Sequence, residues 1–144
     1  MIKKRGVSME YREIFDIAAN VRNAAVKHSD SNYYLNCWCA ICSYHIYKKI
    51  RTKSRRVYFA IVNTEDEGSH CFVIFDKNKM IDITATQFGE KENIIIDEVE
   101  NMQRSQKWFW NKKLMKKYAS VKAIARALKD WPEDQNPFCV DFSC

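Results

Sequence analysis

Only three glycines and two prolines punctuate this chain of 144 residues. Scarcity of both argues against linkers and against a string of small domains. There is no internal repeat and no low-complexity tract, which sets aside solenoids and disordered arrays. No apolar run reaches the roughly eighteen residues of a spanning helix. The segment from Met1 to Gly6 is basic but lacks the apolar stretch and small-residue cleavage site of a secretory signal, so a cytosolic start is expected. What remains is 47% hydrophobic and 29% charged. That is enough for one packed core and too little for two, and residues 1–144 are read as a single domain.

Six cysteines would suit a small disulfide scaffold, but the chain is longer than such scaffolds and carries apolar segments able to bury a core, so mostly free thiols are expected. A net charge of +6 comes with Lys/Arg clusters at Lys3 to Arg5, Lys48 to Arg56 and Lys112 to Lys117. These read as solvated faces. Nucleic acid is therefore not the expected partner, and no membrane association is implied.

Met9 to Val26 places Tyr11, Ile14, Phe15, Ala18, Val21 and Ala25 on one helical face, with Ser8 as a candidate cap. His28 to Asn36, rich in Ser, Asn and Asp, reads as a loop. It delivers the chain to Asn36-Cys37-Trp38-Cys39-Ala40-Ile41-Cys42-Ser43-Tyr44. From Cys39 to Ile50 there is neither Gly nor Pro, and Ile46 and Ile50, flanked by Tyr44 and Tyr47, predict a second helix starting at the cysteines. There the helix dipole and open N–H groups lower a thiol pKa and can receive a developing oxyanion.

Arg56 to Val62, His70 to Phe75, Met80 to Thr84 and Asn93 to Ile96 are short runs rich in Val, Ile, Phe and Tyr, and read as strands. Asp76-Lys77-Asn78-Lys79 is a hairpin turn between the second and third. His70 and Asp82 then lie on the two arms. Symmetric pairing between them would centre near Asp76, whereas the polar turn centres one to two residues later, so they meet diagonally or, after a one-residue slip, not at all. Beyond Gly89 the signal thins to a mixed segment through Arg104, an aromatic cluster Trp108-Phe109-Trp110 read as core or lid, and a helix from Ser120 to Asp130 stopped by Pro132. Val121, Ile124, Ala125 and Leu128 form its inner face.

Cysteine, then histidine, then aspartate are the parts a thiol nucleophile needs: a thiolate, a base that takes and returns the proton, and a carboxylate that fixes the imidazole. Cys42, Cys71, Cys139 and Cys144 are read as packing thiols. Gln87 and Asn36 are both candidates for an oxyanion donor, with a structural hydrogen bond favoured for Gln87. Two other classes stand beside this one. Cys37, Cys39, Cys42 and His45 are four metal-type ligands within nine residues, but a continuous helix from Cys39 spreads them away from one tetrahedral centre. A non-catalytic binding module is the other, since fold does not imply function.

Three blocks carry a resemblance to a known family. Cys39-Ala40-Ile41-Cys42-Ser43 resembles the opening of the nucleophile helix in transglutaminase-like cysteine enzymes. His70-Cys71-Phe72-Val73 resembles their histidine strand, and Ile81-Asp82-Ile83-Thr84-Ala85-Thr86-Gln87-Phe88 resembles the acid-bearing segment of small bacterial and phage members. The resemblance covers residues 36–89. It implies a papain-like α+β fold with the nucleophile helix packed on a small antiparallel sheet. By position it makes Cys39 the nucleophile, His70 the general base and then acid, and Asp82 the orienting carboxylate. Cys37 stands where the family more often has glycine, Cys42 where it has alanine and Phe72 where it has tryptophan. Cys39 is preferred to Cys37 because the first helical turn gains most from the dipole. The implied activity is that of a cysteine hydrolase (protease, amidase or deamidase) or an acyltransferase, acting on a protein or peptide through a thioester with no cofactor.

Overall fold

The computed structural model describes residues 10–29, 35–54, 56–65, 68–105, 114–140 and 142. The chain runs through helix α1 (Tyr11–His28), helix α2 (Cys39–Arg51), strands β1 (Val57–Asn63), β2 (Ser69–Phe75) and β3 (Lys79–Asp82), a 3-10 turn (Ala85–Phe88), strand β4 (Ile95–Glu98), helix α3 (Val99–Ser105), strand β5 (Lys116–Tyr118), helix α4 (Val121–Ala127) and a 3-10 turn (Glu133–Gln135). The strands form one sheet in the order β4-β3-β2-β1-β5, antiparallel throughout. The class is α+β. Among the described residues no helix is long and apolar enough to cross a membrane.

β2 is the middle strand, and every residue from His70 to Phe75 is buried. Its unbroken apolar run, which obscures any alternation, has its cause there: both faces are covered. On one face Cys71, Val73 and Phe75 join Val57, Phe59, Ile81 and Ile83 beneath α1 and α2. On the other, Phe72 and Ile74 pack with Ala60, Val62, Met80 and Ile95 beside Val99 and Met102 of α3. Alternation along β2 thus turns Cys71 toward α2 and sets His70 on the side of Phe72.

The β2–β3 hairpin has the diagonal geometry. Val73 faces Ile81, Ile74 faces Met80 and Phe75 faces Lys79, so pairing centres on Lys77, and continuation of this register places Phe72 opposite Asp82. His70 is then diagonal to Asp82 and on its face. Asp76 and Lys77 adopt left-handed φ of 47° and 76°, the twist a tight hairpin requires. Asp76 tolerates it by local hydrogen bonding of its short side chain.

Several expected boundaries move. α1 runs to His28, two residues beyond the expected end, and although Ile14 is 2% exposed, Tyr11 and Phe15 are 62% and 38% exposed. They stack on each other at the surface, with ring centroids 6.1 Å apart. β3 stops at Asp82 rather than Thr84, because the Thr84 backbone N–H turns back to Asp82 Oδ1 at 2.9 Å. β4 lies two residues later than expected, and the helix expected over Ser120 to Asp130 ends at Ala127. Ser120 caps it, accepting the Ala123 N–H at 3.2 Å. α3 and β5 were not anticipated. Ser8, Cys144 and the Trp108-Phe109-Trp110 cluster lie outside the described residues.

A buried cation ties α1 to the sheet. Arg22 is 3% exposed; its guanidinium donates to the Ile83 carbonyl, with Thr86 Oγ1 and the Asn93 carbonyl each at 3.5 Å. It anchors the segment immediately after Asp82. Arg22→Met fills much of the volume but leaves the Ile83 carbonyl without its donor, which costs about 1–3 kcal/mol. Thermal unfolding followed by circular dichroism will show a lowered Tm; an unchanged Tm would mean that the anchor contributes nothing.

Candidate active site

The approach to α2 is a tight turn. Leu35 and Cys37 both take left-handed φ, 56° and 68°, and the Trp38 N–H closes back on the Leu35 carbonyl at 3.1 Å. Trp38 contributes no side-chain cap to α2, and Cys39 is the first helical residue, 3% exposed. Cys37 is exposed. The two neighbouring thiols therefore differ: one sits in a strained turn facing water, the other at the positive end of a helix against the sheet.

Asp82 is held from three directions. Its Oδ1 accepts the Thr84 N–H and, at 3.4 Å, the Thr84 hydroxyl, while its Oδ2 accepts His70 Nε2–H at 2.6 Å. Both side chains of that pair are buried, at 0% and 1% exposure. Phe88 meets the imidazole edge to face, centroids 4.9 Å apart at 89°, and Phe72 flanks it at 6.2 Å. With Nε2 committed to Asp82, the nitrogen left for the sulfur is Nδ1, and His70 and Cys39 lie near enough for each to shift the other's ionisation. The structure brings Cys39, His70 and Asp82 into one line.

The electrostatics make that line an ion pair. A hydrogen bond from the Cys71 thiol is the largest influence on Cys39; burial opposes it, and the His70 hydrogen bond and charge together with the Cys71 backbone N–H carry the pKa from 9.0 down to about 5. Burial is the largest influence on His70 and pushes it down, but the Asp82 charge and hydrogen bond, reinforced by Cys39, raise it from 6.5 to about 10. Over the interval between, the favoured state is thiolate beside imidazolium.

Residues around the three have assignable tasks. Gln87 donates Nε2–H to the Thr84 carbonyl at 3.0 Å, and its Oε1 accepts the Cys37 N–H at 3.4 Å. Its amide braces the nucleophile turn against the Asp82 turn, which is the structural role favoured for it. Thr84, Gln87 and Phe88 thus each contact the Cys37, His70 and Asp82 cluster. Cys71, read as packing, lies against Cys39 instead; Cys139, also read as packing, is exposed. The five described cysteines are unbridged.

Cys39 opens into a cleft of about 490 Å³ walled on one side by Cys37, Ser69 and Gln87 and on the other by Ala127, Asp130, Trp131, Pro132 and Gln135. The segment after α4 therefore forms half of the cleft. Sequence reasoning gave it no part, and the Trp131-Pro132 pair ending a helix was its only signal. A larger cavity, about 780 Å³, lies among Lys48, Lys49, Arg51 and Lys53 toward the other end of α2. Neither a cysteine nor a histidine lines it.

Among the described residues, no three His, Cys, Asp or Glu side chains are grouped to hold a metal ion. His45 is turned toward Phe142, centroids 3.9 Å apart, rather than toward Cys37 or Cys39. Comparison of the chain with protein-family models, with curated proteins and with solved structures finds no match.

Proposed function

We propose that the chain is a cysteine hydrolase of transglutaminase-like, papain-like design that cleaves an amide of a protein or peptide through a thioester on Cys39. The observation that carries the reading is the buried 2.6 Å contact between His70 Nε2 and Asp82 Oδ2 in a ring whose ionisation is also coupled to that of Cys39. A structural histidine has no need of both partners at once. The Cys39 thiolate attacks the carbonyl carbon, and the oxyanion forms beside the open N–H groups at the start of α2. Imidazolium at His70 protonates the leaving amine; neutral again, it takes a proton from water as that water attacks the thioester. Asp82 keeps the ring in the orientation both transfers need. Glutamine or asparagine side chains and peptide bonds share this chemistry, and an amine in place of water turns hydrolysis into transfer.

The test is the pH dependence of iodoacetamide labelling, resolved by peptide mass spectrometry, with exposed Cys37 and Cys139 as internal references. A lowered thiol pKa means thiolate persists above about 5, so labelling of Cys39 will rise through that pH and level off. At pH 6 it will hold roughly 300-fold more thiolate than an ordinary thiol of pKa about 8.5. The weaker nucleophilicity of an acidic thiolate, with a slope of about 0.4–0.5 per pKa unit, takes back roughly 30-fold. About tenfold faster labelling than the reference thiols is the net expectation. Six thiols labelling alike would end the catalytic reading. A true substrate will show a bell-shaped rate, rising near 5 with the Cys39 thiolate and falling toward 10 as His70 loses its proton.

A further inference from the structure

We infer that Cys39 and Cys71 form a reversible oxidation site, in which Cys71 captures a hydroperoxide-oxidised Cys39 as a disulfide joining the start of α2 to β2. The inference rests on Cys39 being the reactive thiolate proposed above. Cys71 neither attacks the substrate nor transfers a proton in the acyl-transfer chemistry, yet it follows His70 on β2, is fully buried, and faces α2 in the same core cluster as Cys39. Its thiol and backbone N–H are both near enough to the Cys39 sulfur to lower that thiol's pKa, and α2 packs directly on β2. Two thiols on different packed elements, each shifting the other's ionisation, are placed to meet. Cys37 is not: it is exposed, and its backbone is tied to Gln87.

Access sets the order of events. Cys39 lines the cleft while Cys71 is 0% exposed, so an oxidant reaches Cys39 first. The Cys39 thiolate attacks one oxygen of hydrogen peroxide; the S–O bond forms, the O–O bond breaks, and the departing hydroxide takes the His70 proton and leaves as water. Sulfur is oxidised by two electrons to the sulfenic acid and the peroxide is reduced. While Cys39 is a thiolate, burial and then that neighbouring charge hold the Cys71 thiol well above its ordinary pKa. Oxidation of Cys39 removes the charge. The Cys71 sulfur then attacks the Cys39 sulfur, the S–S bond forms, the S–O bond breaks, and hydroxide departs with the Cys71 proton as a second water. A thiol reductant reverses the bond, whereas an uncaptured sulfenic acid passes on to the irreversible sulfinic acid.

The experiment treats the whole chain with hydrogen peroxide at pH 7, blocks free thiols with N-ethylmaleimide, and maps peptides without reduction. A peptide linking Cys39 to Cys71 is expected, together with loss of rapid Cys39 labelling that dithiothreitol restores. In Cys71→Ser, which keeps a hydrogen-bond donor beside the thiolate, and in Cys71→Ala, peroxide will drive Cys39 to the sulfinic acid, and labelling recovered by dithiothreitol will be at least about fivefold lower than in the parent. Circular dichroism confirms that both variants are folded before treatment. Fast low-pH labelling of Cys39 with a Cys37–Cys39 link, with no link, or with full recovery in both Cys71 variants overturns this inference and leaves the catalytic reading standing. Slow labelling of untreated Cys39 overturns both.

Discussion

Asp82→Asn will remove the rapid low-pH labelling of Cys39, although asparagine is nearly isosteric with aspartate. The reason lies in Thr84. Its backbone N–H donates to Asp82 Oδ1 at 2.9 Å, so in the variant the amide oxygen must stay on Thr84 and the amide NH2 must face His70 Nε2. Two donors cannot share that contact, and the ring responds by moving its proton to Nδ1. The nitrogen facing the sulfur then already holds a proton and cannot accept the thiol's, and the Asp82 charge that raised His70 is gone. Burial, the largest influence on His70, then favours the neutral ring, and Cys39 loses the charge that helped to hold it as thiolate. The labelling midpoint will move up from about 5 toward the ordinary thiol range, with a fall of about tenfold at pH 6. Acylation by p-nitrophenyl acetate, followed as a burst of p-nitrophenolate, measures the catalytic consequence. A loss of about 10⁴-fold is the order seen when the wrong imidazole tautomer is imposed on a hydroxyl triad. A variant with parental midpoint and burst would show that Asp82 is a structural carboxylate and nothing more.

The same segment shows why so much of the site could be read from the chain. His70, Asp82, Thr84, Gln87 and Phe88 belong to two apolar runs and one turn, and local rules place them: strand alternation, a polar turn, an Asp whose side chain receives the N–H two residues on. The helix starting at Cys39 was legible for a similar reason, as an unbroken helical pattern behind a loop. Elements that depend on distant partners were not. α3 and β5 have seven and three residues, too few for either period to declare itself. Arg22 falls on the apolar face of α1, four residues after Ala18 and three before Ala25, so spacing marks it as a buried charge; it does not say that the turn after β3 offers it carbonyls. Cys71 looks like core because it is core; that the atom packed on it is a second sulfur is a fact about α2 meeting β2. Tyr11 and Phe15 lie on the expected face, and periodicity does set that direction. It does not say how far along the helix the core extends.

The choice between the two neighbouring thiols gives the other large effect. Cys39→Ser will abolish both the fast-labelling peptide and the p-nitrophenolate burst, because a hydroxyl, far less acidic than a thiol, is not ionised by His70 and the helix start. Cys37→Gly will keep both within about threefold, since the groups that lower the Cys39 pKa are Cys71 and His70 and neither contacts Cys37's sulfur in that role. The glycine variant has a second consequence. Cys37 holds φ at 68°, a left-handed conformation costing an L-residue about 1–2 kcal/mol, whereas glycine gives up roughly 0.5–1 kcal/mol in chain entropy. Stability will therefore hold or rise by up to about 1.5 kcal/mol, measured by urea unfolding with an unchanged m-value. The turn that swings the chain into α2 takes a left-handed residue two places before Cys39. A reversal, with labelling lost in Cys37→Gly and kept in Cys39→Ser, would move the nucleophile into the exposed turn. His70, whose ring is buried between Asp82 and Cys39, would then have no reacting thiol to serve.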